Sequence, residues 1–245
     1  MEIPRMTLRL LYAAALTSVA LHVGAQDLVT VEPVGRLAQA DVQSYLDLGN
    51  FGITTTNGIE YYRVRYTMEN LAGATDTVSG LLVTPDSPPR GTTYPTLVSM
   101  HGTTDTRFDV PGRADPFGAP DLAYVYGALG YVTVAPDFLN MGSDSTGFHP
   151  YVHARTEALA GLRMIEALRS DEAYAGRVNE QLFLAGYSQG GHASMALHEY
   201  LIEEPQEGLE VTAAAHMSGP YATLEVITDS VILGERRYLP FGFIP

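Results

Sequence analysis

The sequence predicts an α/β domain: a mostly parallel, twisted sheet with an N-terminal antiparallel hairpin and helices on both faces. Three observations carry that reading. Two strand-like runs flank a turn at Gly73, and from residue 96 onward short apolar runs, loops and helical stretches alternate. No internal repeat or linker divides the chain, and 245 residues that are 46% hydrophobic suffice for one large core.

Each element follows from spacing and punctuation. Residues 34–48 carry apolar side chains at helical intervals and stop at Gly49, a suitable C-cap. Residues 59–68 alternate apolar and polar, and TDTVSGLLVTP follows across Gly73, which gives the hairpin. A loop over 87–95 leads to a buried strand at 96–100 that ends on His101-Gly102. A helix over 120–129 closes at Gly130, YVTVAP forms the next strand, and a Gly/Ser/Asp-rich loop follows. Residues 151–170 are the strongest helix, with Leu159, Leu162, Ile165 and Leu168 on one face. Strand 181–185, helix 191–203 and strand 210–218 complete the pattern.

Composition limits the partners. The net charge is −14 and all 14 basic residues are arginine, so nucleic acid and anionic membranes would be repelled. The absence of lysine fits either codon bias or adaptation to high salt. At the N-terminus, Arg5 and Arg9 precede the apolar stretch LLYAAALTSVAL, and VGA offers small residues for cleavage after Ala25. Residues 1–25 therefore read as a signal peptide and 26–245 as the mature domain, secreted or periplasmic, with no stable membrane span after cleavage. With no cysteine there is no disulfide framework and no thiolate metal site.

The chemistry centres on LFLAGYSQGGHA, residues 182–193. A buried strand runs into Gly186-Tyr187-Ser188-Gln189-Gly190, and a helix runs out. A nucleophilic serine on a strained strand-to-helix turn needs small residues two positions before and after it, and both are glycine here. The bland alternative is a Gly-rich turn with an incidental serine. Upstream, LVSMHGTTDT ends a strand at His101-Gly102, where a following loop can donate a backbone N–H to an oxyanion. The donors are then Thr103, with Thr104 as the alternative, and Gln189, while His101 shapes the loop.

HGTTD, APDFLNMGS, HPYVHARTEAL and LAGYSQGGHA, in this order and spacing, resemble the secretory-lipase and esterase branch of the α/β-hydrolase superfamily, over about residues 58–245. The resemblance implies hydrolysis of small-molecule or lipid esters by a Ser-His-Asp triad through an acyl-enzyme, without metal or organic cofactor. It places the nucleophile on Ser188. The superfamily's order of serine, acid, histidine is not met downstream: His192 and His198 lie in the helix leaving the serine, and His216 ends the next strand. Ser188 with His216 is one makeshift pairing. The simpler expectation is a chain truncated at the start of the lid region, TLEVITDSVILGE, with the acid and the base beyond residue 245. A non-catalytic hydrolase-like binding protein stands as the alternative, and a peptidase or thioesterase on the same scaffold as another.

Other clusters read as structure. His149 and His153 are four apart but lack a third metal ligand. Asp109, Asp137 and Asp144 form no EF-hand pattern and read as turn and cap residues. Tyr61, Tyr62 and Tyr66 read as sheet and core.

Overall fold

The computed structural model describes residues 28–86, 88–113, 122–143 and 147–222. The signal-peptide and lid-region expectations lie outside these residues, as does Asp144. A single seven-stranded sheet runs through the described residues, in the order β1-β2-β3-β5-β4-β6-β7. The strands are β1 (Leu28–Leu37), β2 (Ile59–Glu69), β3 (Thr75–Pro85), β4 (Tyr94–Met100), β5 (Val132–Pro136), β6 (Val178–Tyr187) and β7 (Val211–Met217). Strands β1, β2, β3 and β5 pair antiparallel in turn. From β5 through β4 and β6 to β7 every pairing is parallel. The hairpin at Gly73 and the later parallel half are therefore as the sequence predicts.

Strands β3, β4 and β5 are buried on both faces over most of their length, which is why they read as continuous apolar runs. Along β3, Val78 and Leu82 enter one core cluster while Leu81 and Val83 enter the other. This is the period-two alternation of a strand. The larger cluster is capped by α3 (Ala154–Arg169) and α5 (Gln189–Glu203), the smaller by α1 (Gln39–Leu48) and α2 (Leu122–Ala128). The predicted face of α3, from Leu159 to Leu168, is fully enclosed. Its backbone is also fastened to the sheet: the buried Tyr66 hydroxyl donates to the Ala160 carbonyl at 2.9 Å. Arg163 donates to Glu69 at 2.8 and 2.9 Å and to Glu166 at 2.7 Å.

Two elements differ from the sequence reading. The helix expected over 34–48 begins only at Gln39, and Leu28–Leu37 form strand β1. Val34 and Leu37 do fall at helical spacing, but the backbone here pairs with β2, from Leu28 opposite Tyr66 to Leu37 opposite Ile59. Long-range ladder bonds outweigh a short local pattern. A one-turn helix, α4 (Glu172–Ala175), was not expected. Asp171 caps it, accepting from the N–H groups of Ala173 and Tyr174 at 2.8 and 3.0 Å.

Candidate active site

Strand β6 lies between β4 and β7, parallel to both, and it delivers Ser188 to the turn that opens α5. Ser188 has φ 57° and ψ −122°, a left-handed conformation that costs a side-chain-bearing residue about 1–3 kcal/mol. The surroundings hold it there. Its N–H donates to the Met217 carbonyl of β7 at 3.0 Å, and its carbonyl accepts from His192 N–H at 3.2 Å. A Cβ at Gly186 would collide with the backbone of Gly190, and one at Gly190 with the carbonyls of Met100 and His101. Close backbone approach thus leaves no room for a side chain at either glycine.

The loop leaving β4 meets this turn. A Cβ on Gly102 would lie 3.3 Å from the Tyr187 carbonyl and 3.9 Å from Ser188 Cβ, so the loop passes in contact with the serine. The backbone N–H groups of Thr103 and Gln189 have no hydrogen-bond partner among the described residues. Gln189 opens α5, where free N–H groups and the helix dipole favour negative charge. The Thr103 hydroxyl is bonded to the Tyr151 hydroxyl at 2.8 Å, and the Thr104 hydroxyl donates to the Thr106 carbonyl at 3.0 Å. Beside them opens a cavity of about 400 Å³ bordered by Thr103, Thr104, Phe108, Phe148, Tyr151 and Gln189.

His101 lies at the start of this loop. Its Nδ1 donates to the Gly102 carbonyl at 2.8 Å and its ring packs on Phe138, 4.2 Å between centroids. Burial holds its imidazole below the ordinary histidine range, against the opposing pull of that carbonyl. Asp137 is fully buried at the end of β5, accepting from Gly112 N–H at 2.6 Å and from the Ser79 hydroxyl at 2.5 Å. It ties the turn at residues 111–113 to β3. His149 Nδ1 donates to the Leu139 carbonyl at 3.0 Å, and His153 caps α3 by accepting from Thr156 N–H. Tyr61 and Tyr66 are core residues, and the half-buried Tyr62 donates to Glu60 at 2.9 Å.

The pairing of Ser188 with His216 is not formed. His216 Nδ1 bonds the Ser194 hydroxyl at 2.8 Å and Nε2 bonds His198 Nδ1 at 3.0 Å, so both ring nitrogens face α5. Register explains this: His216 lies opposite Gly186, and its side chain leaves the sheet on the helix side. Among the described residues the Ser188 hydroxyl has no hydrogen-bond partner, and no group of three or more His, Asp or Glu could hold a metal ion.

A feature absent from the sequence reading is Glu157. It is 1% exposed and bonded to the Gln189 side chain at 2.8 Å and to His192 Nδ1 at 2.6 Å. The available signal was an acid within a helix otherwise apolar on several sides.

No family model and no curated protein sequence matches the chain. Solved structures do. A protein from Legionella pneumophila, provisionally described as a hydrolase, is 29% identical with a TM-score of 0.74, over 84% of this chain and 55% of its own. The rice cell wall degrading esterase LipA from Xanthomonas oryzae is 27% identical with a TM-score of 0.74, over 83% and 53%. Candida antarctica lipase A shares the fold alone, at 18% identity and a TM-score of 0.51, over 77% and 41%. The chain thus spans about half the length of the Legionella and Xanthomonas proteins.

Proposed function

We propose that this chain, whose fold is that of the α/β-hydrolases, is the nucleophile-bearing part of an exported serine hydrolase that cleaves carboxylic esters through an acyl-enzyme. The observation that carries the reading is Ser188, held at positive φ between β6 and α5 beside two N–H groups that have no partner among the described residues. Ser188 Oγ attacks the ester carbonyl. The Thr103 and Gln189 N–H groups receive the negative charge that develops on its oxygen, each donor contributing about 10²–10³ in rate. The alcohol leaves, and water then releases the acid from the serine. A serine hydroxyl is a weak nucleophile without a base, and its base and orienting acid are assigned to segments outside the described residues. The likeness to esterase LipA favours an ester substrate over a peptide or thioester.

A fluorophosphonate probe tests this reading. Wild-type protein should label and hydrolyse p-nitrophenyl esters, and Ser188→Ala should do neither; equal labelling of the variant removes Ser188 as nucleophile. One observation favours a second reading: the Ser188 hydroxyl has no hydrogen-bond partner among the described residues, which also suits a hydrolase-like binding protein without a triad. Absence of labelling in the wild type would establish that one. Export is tested by sequencing the mature N-terminus, expected at Gln26.

A further inference from the structure

Besides Asp137, the proposed chemistry leaves a second buried carboxylate unused. Glu157 sits in the first turn of α3, and three donors converge on it. Its Oε1 accepts from Val152 N–H at 3.1 Å and from Gln189 Nε2 at 2.8 Å, while Oε2 accepts from His192 Nδ1 at 2.6 Å. Taking a carboxylate out of water costs several kcal/mol, which such partners must offset. Two of the three belong to the first turn of α5, directly after Ser188.

This matters for the oxyanion site. The backbone angles of Ser188 set the plane of the peptide that joins it to Gln189, and so the direction of the Gln189 N–H. Because that conformation is unfavourable by itself, its neighbours must impose it. Gly190 and Met217 constrain the turn from the sheet side. The Gln189 side chain is a handle on the other side. Its amide nitrogen donates one hydrogen to Glu157 and the other to His149 Nε2 at 2.9 Å. His149 can accept because its Nδ1 carries the proton given to Leu139. Flipping the amide would set its oxygen against the carboxylate, so both its orientation and its polarity are determined.

We propose that Glu157 is a positioning residue: acting through the Gln189 side chain, with His192 as a second anchor, it aims the Gln189 backbone N–H at the oxyanion. The kinetic consequence rests on the ester-hydrolase reading; the structural consequence does not.

Glu157→Ala tests the proposal from one partner and Gln189→Leu from the other, so that a folding failure of either leaves the second. The full-length protein is assayed with p-nitrophenyl butyrate, counting active sites by fluorophosphonate. Amide hydrogen exchange is followed at Ser188, whose N–H donates to the Met217 carbonyl of β7 at 3.0 Å, and at His192, whose N–H donates to the Ser188 carbonyl at 3.2 Å. Exchange at these two amides should rise about tenfold or more while β2 and β3 are unchanged. Turnover per titrated site should fall about 10- to 100-fold with KM within about twofold, the mark of a contact made in the transition state. The double variant should be no worse than the weaker single one. Unchanged exchange at the turn in folded Glu157→Ala overturns the proposal whatever the activity, as does a uniform rise across the sheet or additive losses in the double variant. Faster local exchange in a protein that hydrolyses no ester supports the positioning role and removes the ester reading instead.

Discussion

Ser188 donates its backbone N–H to the carbonyl of Met217 at 3.0 Å, which ties the candidate nucleophile to β7, at an edge of the described sheet. The turn is therefore braced from β7 as well as from β4, and β7 does structural work for the site. His216, one residue before Met217, faces the other way and bonds Ser194 and His198.

The strain at Ser188 is testable without an activity assay. Glycine adopts φ 57° at little cost, so Ser188→Gly should stabilise the fold by about 1 kcal/mol. Ser188→Ala keeps the Cβ and should leave stability within about 0.5 kcal/mol. Urea midpoints of both variants check this, and a destabilised Ser188→Gly would count against a strained turn.

Gly186→Ala and Gly190→Ala should each destabilise by more than about 3 kcal/mol, because the new methyl meets backbone that cannot move without breaking the β4–β6 pairing. The measurement is soluble yield and chemical unfolding. Gly73→Ala provides the contrast: its Cβ meets nothing, and its φ of 77° alone should cost about 1 kcal/mol.

Buried histidines set a pH dependence. Burial holds His101 and His149 below the ordinary histidine value of 6.5, opposed by their bonds to the Gly102 and Leu139 carbonyls. Below 6.5 the unfolded chain therefore binds more protons than the folded one. Stability from these groups is fully present above that pH and is lost as pH falls through their folded values. Urea midpoints should be flat above about pH 7.5 and fall as the pH drops below about 6.5. His149→Gln should flatten that fall. Glu69, held below the ordinary carboxylate value of 4.5 chiefly by its bond to Arg163, adds a second loss at lower pH.

Tyr66→Phe should cost about 1 kcal/mol, since it removes a buried hydrogen bond from the sheet to the Ala160 carbonyl without creating a cavity. Thermal unfolding measures it, and any hydrolysis of p-nitrophenyl esters should be unaffected, because the bond joins β2 to α3 and involves no group of the candidate site.

What could be read from the sequence was what depends on near neighbours in the chain. The alternation of β2 and β3 around Gly73, the enclosed face of α3, and the glycines around Ser188 all follow from local sterics and periodicity. Contacts between distant segments were decided by tertiary structure. Strand β1 exists because β2 pairs with it, although residues 34–37 fit a helical pattern equally well. His216 was a candidate base by position along the chain and is excluded by the register of β7 against β6, which turns its ring toward α5. Glu157 has no motif, and its place beside Gln189 and His192 arises only when α3 packs on α5. Local chemistry placed the serine; the packing of separate helices and strands decided what holds it.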